Sequence, residues 1–348
     1  MSKVPLVGGA YQARSIIANA QRCVNLYPEE NQSDAPFPTT HYQTPGLHWV
    51  EGDTRNVVNP AAERTKIYWY DPESITIKWA YSDSSDPEGS FAVDGAVIYM
   101  AVNNGILYVC GFINSVDGVH VDFFAKYDGV SWTNGGVIAN DVTTYIEFNN
   151  GNIYLSGAFT EINSIPCSLV AKYDGVSWSQ LGDGVSGYAV MAISATDSGI
   201  YVGGIIDCPS KVMFLDSGSF VDAAPGASLD GDVYTMQFAS DNLLIGGNFS
   251  TNNGDPISKC ATIFMGTIYD IFAPFTGDHV RTIKYNSTTD AVYICGNFSE
   301  ILGTACNSAA IMPAYPVIDN LGLLIPSGSN VDFCSVSQDG NAFFYSDA

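Results

Sequence analysis

The chain has 348 residues, a formal net charge of −23 and a composition that is 46% apolar, enough for the core of one large domain or two smaller ones. Glycine (34 residues) and tyrosine (20 residues) are abundant, and lysine and arginine together number only 13, which is typical of a β-protein rather than one built of long helices. So acidic a chain lacks the cations that neutralise phosphates, which argues against nucleic-acid binding, and no apolar run approaches the ~18 residues of a membrane helix.

Residues 1–65 are predicted to form an extended N-terminal arm. This segment is close to neutral, with five basic and six acidic side chains, and is rich in Pro, Asn and Gln. Its apolar pieces, such as CVNLYPE at 23–29 and TPGLHWV at 44–50, are too short for a core of their own. We therefore expect the arm to lie along the chain's own body or along a neighbouring subunit. Its start has no basic cap followed by an apolar core, so no signal peptide is expected.

Residues 66–348 are predicted to form a second domain built from an internal repeat. A short apolar run that ends in glycine occurs five times, as in LYVCG at 107–111 and IYLSG at 153–157. The spacings are 46, 47, 43 and 49 residues, which is the length of a four-stranded antiparallel unit. The glycines that define the repeat are Gly111, Gly157, Gly204, Gly247 and Gly296.

The octapeptide AKYDGVSW occurs twice, at 125–132 and at 171–178. We interpret it as the hairpin that joins the third and fourth strands of a unit, because Asp and Gly favour a tight turn. The aromatic residues are expected to pack between neighbouring units. The motif is therefore predicted to be structural, through Tyr127, Asp128, Gly129 and Trp132 in the first copy and Tyr173, Asp174, Gly175 and Trp178 in the second.

The ends of the repeat predict how the fold closes. Residues 331–346 provide only the first two strands of a unit, and KIYWYDPESITIKW at 66–79 resembles the outer pair. We therefore predict an all-β, six-bladed β-propeller, closed by pairing of the N-terminal strands (66–79) with the C-terminal strands (331–346).

Residue types that carry chemistry are sparse. The four histidines show no pair at metal-ligand spacing, and the eight cysteines form no C-x-x-C. Cys110 and Cys295 fall at matching positions in apolar strand-like runs and are expected to be buried thiols. The turn STNNGDP at 250–256, with Asn252, Asn253 and Asp255, lacks the ordered ligand spacing of a calcium loop. We predict no catalytic, cofactor-binding or metal-binding residues and no enzymatic activity.

The repeats over residues 97–312 resemble the blades of galactose-oxidase-like and kelch-like propellers, which combine a YVGG-F run with an A-K-W/Y-D-G-S-W run. This resemblance implies the fold, whereas propellers of this kind serve many unrelated functions.

A second resemblance covers residues 11–50. The sequence is similar to the start of tail nozzle or hub proteins of short-tailed bacteriophages, also called packaged-DNA-stabilisation proteins, which read S-x-x-x-N-x-Q-R-x-V-N-L-Y-P and then T-P-G. The matching residues are Ser15, Asn19, Gln21, Arg22, Val24, Asn25, Leu26, Tyr27, Pro28, Thr44, Pro45 and Gly46. The chain is shorter than many such proteins.

The second resemblance implies a structural protein of the virion tail, either a tail nozzle or hub or a head-to-tail connector ring, assembled in the host cytoplasm. Copies would form a ring, expected to be a hexamer, against the portal, its adaptor and other tail proteins. The ring would close the DNA channel and conduct the genome at ejection without binding it specifically or entering a membrane.

Two other functions are compatible with the sequence. One is a binding module that recognises a host-surface carbohydrate or protein through loops such as 113–122 and 160–168. The other is a glycosidase or lyase, which would need carboxylates converging at the propeller axis.

Overall fold

The computed structural model describes residues 3–6, 9–15, 22–28, 48–51, 66–71, 74–81, 89–239, 242–270, 272–286, 291–306, 308–314, 317–320, 330–336 and 342–347. Every regular element in these ranges is a β-strand. The strands fall into two compact units, one formed by Met1–Phe91 with Phe272–Ala348 and the other by Ala92–Ile271.

The N-terminal strands come first in chain order. They are β1 (Lys3–Leu6), β2 (Gly9–Ser15), β3 (Arg22–Pro28), β4 (His48–Glu51), β5 (Lys66–Asp71) and β6 (Thr76–Tyr81).

Four consecutive antiparallel sheets, blades 1 to 4, make up the central unit, and blade 1 begins three residues before it. Blade 1 consists of β7 (Gly89–Asn103), β8 (Ile106–Val116), β10 (Phe124–Tyr127) and β11 (Trp132–Thr133), with β9 (Val119–His120) beside β8. Blade 2 consists of β12 (Thr143–Asn149), β13 (Asn152–Gly157), β16 (Val170–Tyr173) and β17 (Trp178–Gln180), and its loop holds β14 (Glu161–Ile162) and β15 (Ile165–Pro166). Blade 3 consists of β18 (Gly187–Thr196), β19 (Gly199–Ile206), β20 (Val212–Asp216) and β21 (Ser219–Asp222). Blade 4 consists of β22 (Val233–Ala239), β23 (Asn242–Gly247), β26 (Cys260–Phe264) and β27 (Thr267–Tyr269), and its loop holds β24 (Thr251–Asn252) and β25 (Asp255–Pro256).

The terminal unit contains a fifth sheet with the same strand order. Blade 5 consists of β28 (Phe275–Asn286), β29 (Ala291–Ile301), β31 (Ala309–Ala314) and β32 (Val317–Asn320), with β30 (Thr304–Ala305) beside β29. The last strands are β33 (Asn330–Val336) and β34 (Ala342–Asp347), which pair with each other.

The repeated position requires glycine in every blade for a steric reason. The first strand carries one extra residue, a β-bulge, directly opposite the glycine, as where Thr143 pairs with Gly157 and Tyr145 with Ser156. The bulge brings a carbonyl group of the first strand so close that a Cβ at the glycine would lie 1.9–2.4 Å from its oxygen. No other residue fits there without displacing the strand. The five positions are Gly111, Gly157, Gly204, Gly247 and Gly296.

The core of the central unit lies between neighbouring sheets. One cluster combines Tyr108 and Phe124 of blade 1 with Leu155 and Trp178 of blade 2. Two similar clusters join blades 2 and 3 and blades 3 and 4. Blades 2 and 3 are thus apolar on both faces, which explains why their strands read as continuous apolar runs.

The prediction that residues 66–79 pair with the C-terminal strands is wrong, because β3 is the N-terminal strand that pairs with β34. Both edges of β34 are occupied, one by β33 and the other by β3, in a sheet ordered β1-β2-β3-β34-β33. Strand β5 has both edges occupied as well, by β4 and β6. Because each strand edge accepts one neighbour, residues 66–71 have no free edge to offer β34.

Candidate functional site

The two copies of the octapeptide form identical turns. The backbone amides of Val130 and Ser131 donate to Oδ1 of Asp128 at 2.9 and 2.8 Å, and the Tyr127 hydroxyl donates to the carbonyl oxygen of Gly129 at 2.9 Å. Hydrogen bonds from Ser131 and Val130 hold the pKa of Asp128 below its usual value. The two glycines, Gly129 and Gly175, have φ of +97° and +95°, which favours glycine.

The second copy repeats these contacts. Val176 and Ser177 donate to Asp174 at 2.9 Å each, and the Tyr173 hydroxyl donates to Gly175 at 3.0 Å. The same backbone bonds lower the pKa of Asp174. These carboxylates are therefore engaged in holding a turn.

The aromatic residues of the motif pack as well. Trp132 lies against Tyr127, with ring centroids 5.1 Å apart, and Trp178 lies against Tyr173 at 5.3 Å. Trp178 also meets Phe124 of the preceding blade edge-on, at 6.3 Å. It thus joins blades 1 and 2.

The residues predicted for the arm are placed in part. Val24, Asn25 and Leu26 lie in β3, opposite Phe344, Phe343 and Ala342 of β34. Arg22, Tyr27 and Pro28 lie in the same strand and Ser15 ends β2. Asn19, Gln21, Thr44, Pro45 and Gly46 lie outside the described residues.

Two exposed loops in the central unit have the same design. In each, the loop between the second and third strands of a blade is hydrogen-bonded to the linker that leads into the first strand of that blade. The apolar clasp consists of residues 136–140 and 160–166 in blade 2, and the polar clasp consists of residues 226–230 and 250–256 in blade 4. Equivalent residues are 90 positions apart.

In the apolar clasp, two asparagines form the side-chain hydrogen bonds that join the loop to the linker. Oδ1 of Asn140 accepts the backbone amides of Thr160 (2.9 Å) and Glu161 (3.0 Å), and its Nδ2 donates to Thr160 Oγ1 (2.8 Å). Asn163 accepts the amide of Ile138 (2.8 Å) and donates to the carbonyl oxygen of Gly136 (2.7 Å). The loop is therefore held in place by side-chain hydrogen bonds to the backbone.

The polar clasp substitutes a carboxylate for the first asparagine. Oδ1 of Asp230 accepts the amides of Ser250 (2.6 Å) and Thr251 (2.8 Å), and Oδ2 accepts the Ser250 hydroxyl (2.6 Å). Desolvation raises the pKa of Asp230, but the hydrogen bonds from Ser250 and Thr251 outweigh it, so the pKa lies well below its ordinary value. Asn253 donates to Gly226 at 2.8 Å, as Asn163 does to Gly136.

The surfaces of the two clasps differ. The apolar clasp exposes 56% of Ile138 and 40% of Ile165. The equivalent residues of the polar clasp, Ser228 and Asp255, are exposed too. Because the polar clasp keeps the same backbone contacts without these isoleucines, folding of the clasp does not require them.

Sequence reasoning treated these two loops separately, one as a candidate binding loop and the other as a weak calcium candidate. Aligning the blades at an offset of 90 residues would have paired them. In the structure, the side-chain oxygen of Asn252 accepts the backbone amide of Ser228 (3.0 Å), and the side-chain amide of Asn253 donates to the carbonyl oxygen of Gly226. Within the part of the chain that the structure describes, no group of three or more His, Cys, Asp or Glu side chains could hold a metal ion.

Six cysteines are buried and unbridged, namely Cys110, Cys167, Cys208, Cys260, Cys295 and Cys306. Burial raises the pKa of Cys306 to about 12, and burial also raises the pKa of Cys260. These thiols therefore stay protonated at neutral pH. The described residues also include no helix with the length and apolarity needed to cross a membrane.

The fold is similar to that of known structures. One titled "YCF48 bound to D1 peptide" matches with a TM-score of 0.50 at 10% identity, over 97% of this chain and 98% of the other. The chain has a β-propeller fold. YCF48 from Cyanidioschyzon merolae matches with a TM-score of 0.47 at 9% identity, over 86% and 94% of the two chains. The computationally designed Ika8 protein matches with 0.46 at 9%, over 88% and 99%. No family model and no curated protein matches the chain.

Proposed function

We propose that this β-propeller is a non-catalytic binding module that recognises another protein through the apolar clasp. The observation that carries the proposal is that Ile138 and Ile165 are exposed in the apolar clasp, whereas the equivalent clasp of blade 4 keeps the same backbone contacts with Ser228 and Asp255 at these positions. Aliphatic side chains on a fixed scaffold gain apolar contact with a partner at a small entropic cost. The fold matches that of a protein whose structure was titled as bound to a peptide, which is compatible with this function.

A peptide selection tests the proposal. A random peptide library is selected on the immobilised protein, with the double variant Ile138→Ser/Ile165→Asp as the counter-selection target. We expect enriched peptides that bind the native chain and lose at least tenfold in affinity for the variant. The variant carries the residues of the polar clasp, so it retains the fold, which circular dichroism checks. Enrichment of no peptide, or of peptides that bind both proteins equally, would contradict the proposal.

The proposal includes six blades. Five are the consecutive sheets, and the sixth is the sheet in which the chain ends meet. Its β33 and β34 pair with the bulge seen in blades 1 to 5, since Val331 opposes Ser346 and Phe333 opposes Tyr345. The two remaining blade positions are supplied by β3 and β2, with β1 added at the edge.

A second candidate function is that of a structural virion protein, a ring of the phage tail. The observation in its favour is the N-terminal match to tail nozzle or hub proteins. In that case the bound protein is another tail component or another copy of this chain.

Mass photometry of the intact chain tests the ring. Particles of one size, expected to be six copies, would support it, whereas a monomer both alone and with a phage adaptor protein would contradict it. Deletion of residues 1–65 is unsuitable for this test, because it removes β1, β2 and β3 from the sheet that holds the C-terminal strands.

A further inference from the structure

The loops around the apolar clasp carry acidic side chains and no basic ones. Residues 112–123, 134–142 and 158–169 contain no lysine or arginine. Residues 92–271 as a whole hold 18 aspartates and glutamates against four lysines and no arginine. Two of these lysines, Lys211 and Lys259, donate to backbone carbonyl groups, of Ile206 and Asn248, at 3.1 Å each.

Three of the acidic residues belong to the clasp or adjoin it through the backbone. Asp122 forms a backbone bridge with Ile138, Asp141 follows Asn140 in the chain, and the carbonyl group of Glu161 accepts the amide of Asn140 at 3.3 Å. His120 lies 3.4 Å from Asp122 and is largely exposed. The segments that form and adjoin the apolar clasp therefore contribute these three acidic residues and no lysine or arginine.

We infer that the apolar clasp docks a protein segment in which aliphatic residues are flanked by lysine or arginine. The aliphatic side chains would cover Ile138 and Ile165, and the flanking cations would face Asp122, Asp141 and Glu161. Apolar contact supplies the affinity in such an arrangement, while the charges set the orientation and exclude acidic partners. This inference rests on the proposed function and adds the chemistry of the partner.

Three synthetic peptides test the two components separately. The probe is acetyl-GKRIVRKG-amide, the second peptide is GKRSSRKG, which keeps the charge, and the third is GEDIVDEG, which keeps the aliphatic residues. Binding is measured by isothermal titration at physiological ionic strength, where contacts between exposed charges are screened beyond about 8 Å. We expect one-to-one binding of the probe and binding at least tenfold weaker for each of the other peptides.

Matched variants locate the site. In the native chain, Ile138→Ser/Ile165→Asp converts the apolar clasp to the surface of the polar clasp and should weaken probe binding at least tenfold. In the reverse direction, Ser228→Ile/Asp255→Ile gives the polar clasp the apolar pair but not the carboxylates. The residues at the positions equivalent to Asp122, Asp141 and Glu161 are Ser210, Gly231 and Thr251. We therefore expect this variant still to bind one probe molecule, and a second probe bound with equal affinity would show that the carboxylates are not needed.

The outcomes separate the inference from the proposed function. If GKRSSRKG binds as tightly as the probe, or if Ile138→Ser/Ile165→Asp leaves binding unchanged, the docking inference is wrong. If the peptide selection yields clasp-dependent sequences without flanking cations, the chemistry inferred for the partner is wrong and the proposed function stands. If the selection yields nothing and the probe does not bind, both are wrong.

Discussion

At the scale of single residues, the glycine opposite the bulge of each blade, here called the blade glycine, shows why one position in each repeat must be glycine. A Cβ at Gly247 would lie 1.9 Å from the carbonyl oxygen of Asp232, and this oxygen belongs to the backbone and cannot rotate away. We expect Gly247→Ala to lower the free energy of unfolding by about 3 kcal/mol or more. Urea denaturation followed by circular dichroism measures the change.

A neighbouring glycine provides the control. Gly254 has φ of +85° and open space around it, and Ser164, its equivalent in the apolar clasp, has φ of +62°. Gly254→Asn should therefore cost less than about 1 kcal/mol, since asparagine tolerates this conformation. Equal losses of unfolding free energy in Gly247→Ala and Gly254→Asn would show that steric contact at the bulge is not the reason why this position requires glycine.

Asp230 gives a prediction for pH dependence. Its pKa in the folded protein lies below the value of about 3.9 in an unfolded chain, so it stabilises the fold above pH 4 and loses this contribution as the pH falls through the folded pKa. The variant Asp230→Asn carries the residue that the apolar clasp has at this position, Asn140. We expect it to melt at a lower temperature than the native chain at pH 7.

The difference between Asp230→Asn and the native chain should shrink as the pH falls below 4, when thermal unfolding is compared at pH 7, 4 and 3. Asn140→Asp, which places a carboxylate on the equivalent amides of Thr160 and Glu161, is the reciprocal variant and should gain the same pH dependence. A constant difference across this range would contradict the role assigned to the charge.

At the scale of elements, the repeated hairpin separates residues that pack from residues that are presented to solvent. Trp178 is 6% exposed and packs on Phe124 of the preceding blade, whereas Val176, two residues earlier, is 87% exposed. We expect Trp178→Ala to cost about 3–5 kcal/mol in chemical denaturation. Val176→Ser should change stability by less than about 0.5 kcal/mol. A small loss for Trp178→Ala would mean that the blade interface does not depend on this ring.

Sequence reasoning was accurate where the repeat imposes the same physical demand on the same residue type. The glycine opposite the bulge and the Asp-Gly turn are of this kind. The sequence carries no recognisable pattern where the blades share a backbone conformation but have different residues at that position. Phe123, Leu169, Lys211 and Ser308 all have φ near +60°, and the carbonyl group of each accepts the amide of the blade glycine. Four unrelated side chains at one position leave no pattern to recognise. The clasps were missed for the same reason, since Asn140 and Asp230 make equivalent contacts.

At the scale of the whole molecule, the sequence located the two chain ends in one sheet but not the N-terminal strand that pairs there. Strands 22–28 and 66–71 are both short and partly apolar, so composition does not distinguish them. The outcome depends on which edges are already filled, and β4 and β6 fill those of β5. Strands β1, β2 and β3 therefore contribute to the fold itself, and any assembly role of the arm has to be tested with the arm in place.

The register between β3 and β34 allows that test. Asn25 lies opposite Phe343, and directly opposed residues of antiparallel strands are close enough for a disulfide. We expect Asn25→Cys/Phe343→Cys, in a chain that also carries Cys23→Ser, to form a bond within one molecule, seen as a monomer of altered mobility on non-reducing gels. Asn25→Cys/Asp347→Cys, four residues out of register, is the control and should not form a bond. Mixing the two single variants distinguishes pairing within a molecule from pairing between copies. Cross-linked dimers in that mixture would mean that copies exchange β3, and the arm would then be an assembly element as well as part of the fold.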